Sequence, residues 1–411
     1  PKEHSLATLV PNWVNESLDT TQEVSGEVIT LLYIAGKKAA SVKTKLSKSY
    51  PGEVGVLSSK NEIDFYQEVF RLLQPLMRNK VKTNFTLLIE EADRVRYDFV
   101  SGLLQTVALE NPLLSCKIVV VESFFKKDSI QDIMISELGD KTPYVRYVSG
   151  TREVLRFSEI NIEENIDSDA VLLVSGGVYL ITGGSGGLGQ QLISFLQQTP
   201  DMQIIITGRS ASSSVDIPNV VYKQCDVSNR KSVIDLISWI KSAYGQLNGV
   251  FHLAGSHSDG YILDKDIKDS LAVLTPKISG VQNLDEAIGN AALDFMIYFS
   301  SIAGAFGNIG QSDYAAANAY MDSYVYYRNE LVRTGNRNGI TKSINWPLWE
   351  NGGMQLDEGT LGLFAAKGIY PLPTQEGLTA LQRLMKSAQE QVVVYYGDKH
   401  RIVSDIIVKQ A

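Results

Sequence analysis

The sequence predicts an α/β protein in which helices cover parallel strands on both faces. Short apolar runs rich in branched residues alternate with segments of helical periodicity along the 411 residues, and this alternation is typical of doubly wound sheets. A polar, acidic stretch from Ser158 to Asp169 interrupts the pattern after the first third. Because such runs are usually solvated linkers, we expect one α/β unit over residues 1–165 and a second over residues 166–411.

The composition is that of a soluble globular protein, with 44% hydrophobic residues and a formal net charge of -8. That charge, with no basic cluster to offset it, argues against a nucleic-acid surface, and no segment is apolar enough to span a bilayer. Four histidines and two cysteines, Cys116 and Cys225, are too few and too scattered for a metal site or a disulfide framework. We expect buried thiols in a reducing, cytoplasmic compartment. The start, Pro1–His4, lacks an initiator Met and a signal-peptide pattern, which suggests a segment excised from a longer chain.

The first half is predicted to alternate strands and helices. The strands are Val28–Ile34, Phe85–Ile89, Lys117–Val121 and Tyr144–Val148, and the helices are Ile63–Met77, Val95–Leu109 and one near Ile130–Leu138. The turns after these strands, such as Ala35–Lys38, carry no phosphate-binding glycine pattern. We therefore expect this half to have a nucleotide-binding type of fold without a nucleotide site, and to stabilise the second half by packing against it.

The second half begins with the segment Gly177–Leu192, in which a short apolar strand leads through a glycine-rich turn into a helix. The spacing Thr-Gly-x-x-x-Gly-x-Gly falls on Thr182, Gly183, Gly187 and Gly189. Glycines let the backbone approach a pyrophosphate, and the helix N-terminus directs free N–H groups towards it. An ordinary tight turn is the alternative. The residues assigned to the dinucleotide are Thr182, Gly183, Gly184, Ser185, Gly187 and Leu188.

The next strand, Met202–Thr207, ends in Gly208-Arg209-Ser210, where a dinucleotide fold recognises the ribose. An acidic residue there would bind the 2′-hydroxyl of NAD, whereas a guanidinium binds a 2′-phosphate through paired charged hydrogen bonds. Arg209 and Ser210 therefore predict NADPH rather than NADH. A surface arginine without a role is the alternative.

A third strand, Val220–Gln224, leads into Asp226 and Val227, which we assign to the cofactor site. Asp226 is placed to meet the edge of the adenine. It is equally placed to cap the helix predicted at Lys231–Ser242, and the sequence leaves both interpretations open.

The fourth strand, Gly249–Leu253, ends in Ala254 and Gly255, which we also assign to the cofactor site. Small residues at this strand end leave room for the ribose and the nicotinamide. His252 lies inside the apolar run and is expected to be a packed core histidine rather than a ligand.

The candidate reacting groups follow a fifth strand at Ile297–Phe299. Ser301 comes directly after it, and Tyr314 and Asn318 are four residues apart, so a helix places them on one face. Lys277 lies upstream in Pro276-Lys277-Ile278-Ser279-Gly280.

The order of these residue types resembles a particular branch of the short-chain dehydrogenase/reductase superfamily. Common members have a lysine four positions after the tyrosine and an asparagine upstream, whereas here Asn318 is downstream and Lys277 upstream. With Ser301, Tyr314 and the glycine loop, this exchange is similar to the ketoreductase (KR) domain of modular polyketide synthases and animal-type fatty acid synthases. The segment Ser343–Trp349 most resembles bacterial synthases that use separate, trans-acting acyltransferases, and Gly352-Gly353-Met354 resembles the entry to the substrate lid.

The resemblance covers nearly the whole chain and implies a fold of two Rossmann-like halves. The first would be a truncated, cofactor-free structural subdomain and the second the NADPH-binding catalytic subdomain. The implied activity, in bacterial cytoplasm, is NADPH-dependent, stereospecific reduction of the 3-keto group of a polyketide intermediate. The implied partners are an acyl carrier protein, with the acyl chain on its phosphopantetheine arm, and neighbouring domains of a megasynthase.

The chemistry of ketone reduction assigns a role to each reacting group. Tyr314 is the acid that protonates the carbonyl oxygen, and the Lys277 cation eases proton release from a phenol that otherwise titrates near ~10. Ser301 donates a second hydrogen bond to that oxygen. Asn318 holds a water or backbone group that relays a proton back to Tyr314. The resemblance also places Lys277 and Tyr314 at the cofactor.

The resemblance also suggests the configuration of the product. The D-hydroxyl (B-type) pattern is Leu-Asp-Asp in the loop after the fourth strand, and here only Asp259 remains of it, because His257 and Ser258 depart from the pattern. The L-hydroxyl type has a tryptophan where Phe306 stands. Asp259 and Phe306 therefore favour a B-type product.

Two rival functions stay open at this point. One is a free-standing short-chain dehydrogenase acting on a small ketone, and the other is a non-reducing structural or epimerase-only domain. Further along the chain we predict a helix at Thr374–Met385 and a last strand at Gln391–Tyr396.

Overall fold

The computed structural model describes residues 4–18, 27–124, 130–166, 173–213 and 215–410. The strands are β1 (Ser5–Asn15), β2 (Val28–Ala35), β3 (Glu53–Leu57), β4 (Lys82–Glu90), β5 (Leu114–Val121), β6 (Tyr144–Val148), β7 (Thr151–Glu159), β8 (Val178–Thr182), β9 (Gln203–Gly208), β10 (Val220–Gln224), β11 (Gly249–His252), β12 (Phe295–Ser301), β13 (Ile340–Trp346) and β14 (Gln391–Gly397). The helices are α1 (Ala39–Leu46), α2 (Glu62–Leu76), α3 (Arg94–Tyr97), α4 (Ser101–Glu110), α5 (Ile130–Ser136), α6 (Gly187–Leu196), α7 (Arg230–Tyr244), α8 (Ile267–Ile288), α9 (Ile302–Phe306), α10 (Ser312–Arg333), α11 (Glu358–Ala366), α12 (Thr374–Lys386) and α13 (Lys399–Gln410).

One sheet of fourteen strands runs through the described residues, in the order β10-β9-β8-β11-β12-β13-β14-β1-β7-β6-β5-β4-β2-β3. In this order, each strand in the block that starts at β10 and ends at β14 runs parallel to its neighbours. The same is true of the block β6-β5-β4-β2-β3. The two parallel blocks are joined by β1 and β7. The strand β1 is antiparallel to both β14 and β7, and β7 is antiparallel to β6. Leu9 of β1 is in register with Val393 on one side and Glu159 on the other. The predicted α/β fold with a doubly wound parallel sheet is confirmed, and the halves share that sheet.

The alternation of apolar runs located most of the strands, and β6 and β10 have the predicted bounds. The strands β1, β3, β7 and β13 were not predicted. The helix predicted at Val95–Leu109 is broken, because a 3₁₀ turn at Asp98–Val100 separates α3 from α4. At that break the buried Asp98 carboxylate accepts hydrogen bonds from the Tyr144 and Ser323 hydroxyls. The boundary between residues 165 and 166 stays a prediction.

The first half contacts the helix that carries Tyr314 and Asn318 at very short range. A Cβ atom on Gly102 of α4 would lie 2.4 Å from the carbonyl oxygen of Ala315 in α10. The two helices therefore cross backbone to backbone, and only glycine fits at this crossing. The two halves thus pack against each other at the start of α10, next to Tyr314.

Cys116 and Cys225 are free and buried, as predicted. Among the described residues, no group of histidine, cysteine and carboxylate side chains is arranged to hold a metal ion. Of the helices that the structure describes, none combines the length and the apolar character needed to cross a bilayer.

Candidate active site

The glycine loop between β8 and α6 has no space for side chains. Gly183 adopts φ +71°, and a Cβ there would lie 2.9 Å from the backbone of Ala254. A Cβ on Gly189 would lie 2.4 Å from the carbonyl oxygen of Gly184. The helix begins after Gly186 with no side chain capping it, so its N-terminal amides are open to a ligand. This arrangement fits the pyrophosphate of a dinucleotide.

The segment that resembles the lid entry lies against the same loop. A Cβ on Gly187 would lie 2.7 Å from the amide nitrogen of Gly353 and 2.8 Å from the carbonyl carbon of Gly352. Further on, the apolar helix α11 buries none of its residues. Residues 352–353 therefore pack against the glycine loop, and the apolar helix α11 follows them in the chain.

His252 holds the ends of two central strands together. Its Nδ1 lies 2.8 Å from Thr182 Oγ1, and the Ala254 amide donates to the same oxygen at 3.3 Å. Burial, assisted by the charge of Lys277, lowers the pKa of His252 to about 3. The imidazole is therefore neutral, as expected of a core histidine, and Thr182 aligns β8 with β11 at the cofactor end.

Arg209 and Ser210 follow β9 with both side chains exposed. Their carbonyl oxygens are fixed by Gln224 Nε2 at 2.9 Å and by the Tyr222 hydroxyl at 2.6 Å. The backbone is thus held by hydrogen bonds, while the Arg209 side chain is exposed.

Asp226 does not cap the helix that follows it. Its Oδ1 accepts from the Ser228 amide at 2.9 Å, and the cap of α7 is Asn229, whose side chain accepts from the Ser232 amide. The helix-cap alternative is therefore wrong, because α7 begins at Arg230, directly after its cap Asn229, and Asp226 lies three residues before that cap. Val227 is buried, with its carbonyl oxygen bound by Asn283 Nδ2 at 2.9 Å.

Lys277 is buried in the middle of α8. Its Nζ donates to the carbonyl oxygen of Phe299 at 3.1 Å and lies 6.0 Å from the centre of the Tyr314 ring. Gly255 makes the space, since a Cβ there would lie 2.8 Å from Lys277 Cε. Burial lowers the pKa of Lys277 to about 8, and the nearby Asp322 carboxylate opposes that shift. The ammonium is therefore still largely protonated at pH 7.

Tyr314, Ser301 and Asn318 converge at the end of β12. Burial raises the pKa of the Tyr314 phenol, against opposing hydrogen bonds from Ser301 and Asn318. The lowering expected from Lys277 is not seen in the protein alone: burial is the main cause of the shift, and Lys277, 6.0 Å from the centre of the ring, is not among its causes. Tyr314 therefore stays protonated and able to act as an acid.

Asn318 and Ser301 each have a second contact. Asn318 Nδ2 donates to the Tyr314 carbonyl oxygen at 2.7 Å, and its buried Oδ1 has no hydrogen-bond partner among the described residues. Ser301 Oγ accepts from the Ala303 amide at 3.2 Å and so caps α9. The orphaned Asn318 oxygen is a site that a water molecule would satisfy.

Asp322, one helical turn beyond Asn318, is a buried member of the site that the sequence analysis missed. Its carboxylate accepts from Ser343 Oγ at 2.5 Å and from Asn345 Nδ2 at 2.6 Å. Asn345 Nδ2 also lies 2.8 Å from the Ser301 carbonyl oxygen. Burial raises the pKa of Asp322 to about 6. The four-residue spacing from Tyr314 through Asn318 to Asp322 is the signal that could have revealed it.

The two residues predicted to control stereochemistry have different surroundings. Asp259 is exposed, accepts from Gln311 Nε2 at 2.9 Å and lies 3.5 Å from His257 Nδ1. Phe306 packs against Phe157 of β7, with 4.6 Å between the ring centres. Asp259 thus lies close to the start of the tyrosine helix, whereas Phe306 contacts the first half. Both roles stay predictions.

The sheet, the glycine loop and the Ser301–Tyr314–Lys277 set define a Rossmann-like protein of the short-chain dehydrogenase/reductase class. The family model described as KR domain matches residues 177–351, and one described as beta-ketoacyl synthase-like, N-terminal, matches residues 47–137.

One relative and two solved structures show how far the similarity extends. The chain is 37% identical over 362 residues to polyketide synthase PksN of Bacillus subtilis, covering 84% of this chain and 7% of that protein. It is 31% identical, with a TM-score of 0.88, to the crystal structure of a ketoreductase domain from the bacillaene assembly line, covering 98% of this chain and 100% of that one. A ketoreductase from the macrolactin assembly line is 26% identical with a TM-score of 0.79, over 98% of this chain and 94% of that one. The chain therefore belongs to the ketoreductase domain family of polyketide synthases, and it spans a small fraction of the curated relatives that it matches.

Proposed function

We propose that the chain uses NADPH to reduce the 3-keto group of an acyl chain carried by an acyl carrier protein, giving the D-hydroxyl. The observation that carries the proposal is the convergence of Tyr314, Ser301 and a buried Lys277 at the carboxyl ends of β11 and β12. The glycine loop after β8 lies beside these ends, because β8 and β11 are paired neighbours. Parallel sheets bind ligands at this edge.

The residues that would hold the cofactor form two groups. The group that would hold the pyrophosphate comprises Thr182, Gly183, Gly184, Ser185, Gly187 and Leu188. The second group, which follows the neighbouring strands, comprises Arg209, Ser210, Asp226, Val227, Ala254 and Gly255. The exposed Arg209 guanidinium supports the choice of a 2′-phosphate over a 2′-hydroxyl. When bound, the reduced nicotinamide supplies the hydride.

The side chains of the chain supply the proton and stabilise charge. Tyr314 is protonated at neutral pH and donates to the carbonyl oxygen as negative charge develops there. Ser301 donates a second hydrogen bond, and the Lys277 ammonium stabilises the phenolate that remains. Asn318 supports proton return, because its free Oδ1 can hold a water beside the Tyr314 turn.

The proposal of a carrier-bound substrate is supported by the family, and the proposed configuration of the product is supported by Asp259. The PksN protein that the chain resembles is named a polyketide synthase, and such synthases carry their intermediates as thioesters on carrier proteins. Asp259 lies near the start of α10, the helix that carries Tyr314, through its bond with Gln311. We therefore expect Asp259 to favour one face of the ketone.

The test is NADPH oxidation with a 3-ketoacyl thioester, comparing the wild type with Tyr314→Phe. Loss of the acid should lower kcat by about 10²- to 10⁴-fold, while NADPH affinity, measured by fluorescence titration, stays unchanged. Tyr327→Phe is the matched control, because Tyr327 is exposed on the same helix. Repeating the assay with NADH tests the cofactor choice, and chiral analysis of the alcohol tests Asp259.

The outcomes separate the rival functions. A wild type that binds NADPH but reduces neither free nor carrier-bound thioesters would support a non-reducing domain. Equal activity of the Tyr314→Phe variant would refute the assigned acid, and preference for small ketones over thioesters would favour a free-standing reductase.

A further inference from the structure

Glu110, the last residue of α4 in the first half, contacts two loops of the second half. One is the Asp259 loop (residues 253–266), between β11 and α8, and the other is the Gly307 loop (residues 307–311), between α9 and α10. Glu110 Oε2 accepts from the Ile262 amide at 2.9 Å, and Oε1 accepts from the Gly310 amide at 2.9 Å. One carboxylate therefore bridges both loops through charge-assisted hydrogen bonds to backbone, which are stronger than neutral ones.

The two loops also bind each other at the same point. The Gly260 amide donates to the Gly310 carbonyl oxygen at 2.8 Å, and Gln311 Nε2 donates to Asp259 Oδ1 at 2.9 Å. Asp259 is thus held relative to Tyr314, three residues beyond Gln311, by contacts that Glu110 supports from behind.

Further side chains of the first half hold the remaining parts of the loops. Gln74 Nε2 donates to the carbonyl oxygens of Ile262 and Lys265, each at 2.9 Å. Thr106 Oγ1 accepts from the Asn308 amide at 3.2 Å. The far end of the Asp259 loop is fixed by the buried ion pair between Lys265 and Asp313, at 2.6 Å.

We propose that Glu110 is a positioning residue for stereochemical control, which makes the first half part of the specificity machinery as well as a scaffold. By setting the Asp259 loop against the Gly307 loop, Glu110 fixes the wall along which the acyl chain lies as its ketone meets Tyr314. The two product configurations differ by the face of the ketone that is presented, and a factor of ten in their ratio corresponds to about 1.4 kcal/mol. A shift of one loop is enough to produce such a difference. The inference rests on the proposed function, since it requires a chiral alcohol as product.

The test compares the wild type with Glu110→Gln on a 3-ketoacyl thioester, with product configuration as the readout. Glutamine keeps the shape but can accept only one of the two backbone bonds, and its amide group would face the other N–H. We expect the share of the minor stereoisomer to rise by about tenfold, with NADPH affinity unchanged. Glu68→Gln is the matched control, because Glu68 accepts from Ser59 within the first half and contacts neither loop.

A second variant keeps the test decisive if Glu110→Gln folds poorly. Thr106→Val is nearly isosteric and removes the acceptor for the Asn308 amide, together with the hydroxyl that donates to the Gly102 carbonyl oxygen within α4. A smaller rise in the minor stereoisomer is expected. An unchanged stereoisomer ratio in folded Glu110→Gln, or in Thr106→Val when the first variant fails to fold, would overturn the inference. An equal change in Glu68→Gln would do the same. A wild type without reductase activity would instead refute the proposed function itself.

Discussion

Each half of the molecule buries a lysine, and the two lysines have opposite surroundings. Lys117 on β5 has its Nζ 2.6 Å from Glu137 Oε2 and 3.1 Å from Asp140 Oδ1, and Arg152 completes the cluster. Lys277 on α8 has a backbone carbonyl oxygen as its bond partner and forms no ion pair with any residue that the structure describes. The same residue type is paired directly with carboxylates in the first half, whereas in the second half it has no carboxylate at ion-pair distance among the described residues.

This difference indicates that Lys117 stabilises the fold, whereas Lys277 takes part in the reaction. A buried cation with two carboxylate partners is locked in place, and removing it leaves uncompensated negative charge. A buried cation without a partner destabilises the fold and has its pKa lowered, so its charge is available to a reacting group. Groups with such perturbed pKa values cluster at functional sites.

The largest effect is expected from Lys277→Met. Activity should fall by about 10²- to 10⁴-fold, because the charge that stabilises the Tyr314 phenolate is lost. The measurement is kcat/KM with a 3-ketoacyl thioester, and Lys268→Met, an exposed position on the same helix, is the control. If Lys277→Met kept its activity, the Lys277 charge would not be needed for the reaction. The proposed functional difference between Lys277 and Lys117 would then be wrong.

The same variant should be more stable than the wild type at neutral pH. The folded pKa of Lys277, about 8, lies below its ordinary value of 10.5, so the unfolded chain binds more protons between these values and wild-type stability rises with pH there. The burial penalty is therefore fully present below about pH 8 and absent above 10.5. Urea unfolding should show the advantage of Lys277→Met at pH 7, on the order of 3 kcal/mol, shrinking as the pH approaches 10.5.

Lys117→Met should produce the opposite result. It leaves Glu137 and Asp140 with Arg152 as their remaining buried cation, so the free energy of unfolding should fall by about 3–5 kcal/mol. The activity of the molecules that remain folded should be unchanged, as measured by kcat below the unfolding transition. Lys141→Met, exposed nearby, controls for the loss of one charge, and a drop in kcat without a loss of stability would contradict the comparison.

The sequence predicted the parts of the site that local pattern determines. The glycine loop and Ser301 fall at strand ends, and Tyr314 and Asn318 are at helical spacing, whereas Lys277 was assigned through the family resemblance. The structure brings all of them to one edge of the sheet. The strand β1 was missed because its role comes from pairing with β14 and β7, which lie far along the chain.

A contact between a side chain and a backbone group far away along the chain cannot be predicted from local sequence patterns. Glu110 ends a helix in the first half, and its partners Ile262 and Gly310 lie 152 and 200 positions away. Phe306 shows the same limit, since nothing local indicates that its ring packs against Phe157. Asp322 differs, because its spacing from Tyr314 and Asn318 made it visible in principle.

Asp322→Asn should have the smallest effect on activity. It tests whether the Asp322 carboxylate helps the fold to tolerate the buried charge of Lys277. Asparagine keeps the shape, but its amide group would face a donor from Ser343 or Asn345, and Asn345 also holds the Ser301 carbonyl oxygen. We expect a fall in kcat of about 5- to 10-fold, consistent with one lost buried hydrogen bond. The exposed substitution Asp269→Asn is the control.

The pH dependence of stability distinguishes a charged Asp322 from a merely polar one. Its folded pKa, about 6, lies above the ordinary value of 3.8, so the stabilising contribution of its protonated form is fully present below pH 3.8 and is lost as the pH rises through 6. Wild-type stability should therefore fall relative to Asp322→Asn between pH 4 and 6.5, as measured by urea unfolding at each pH. A constant difference across that range would mean that the folded Asp322 carboxylate is ionised throughout, as it is in the unfolded chain, and that burial does not raise its pKa.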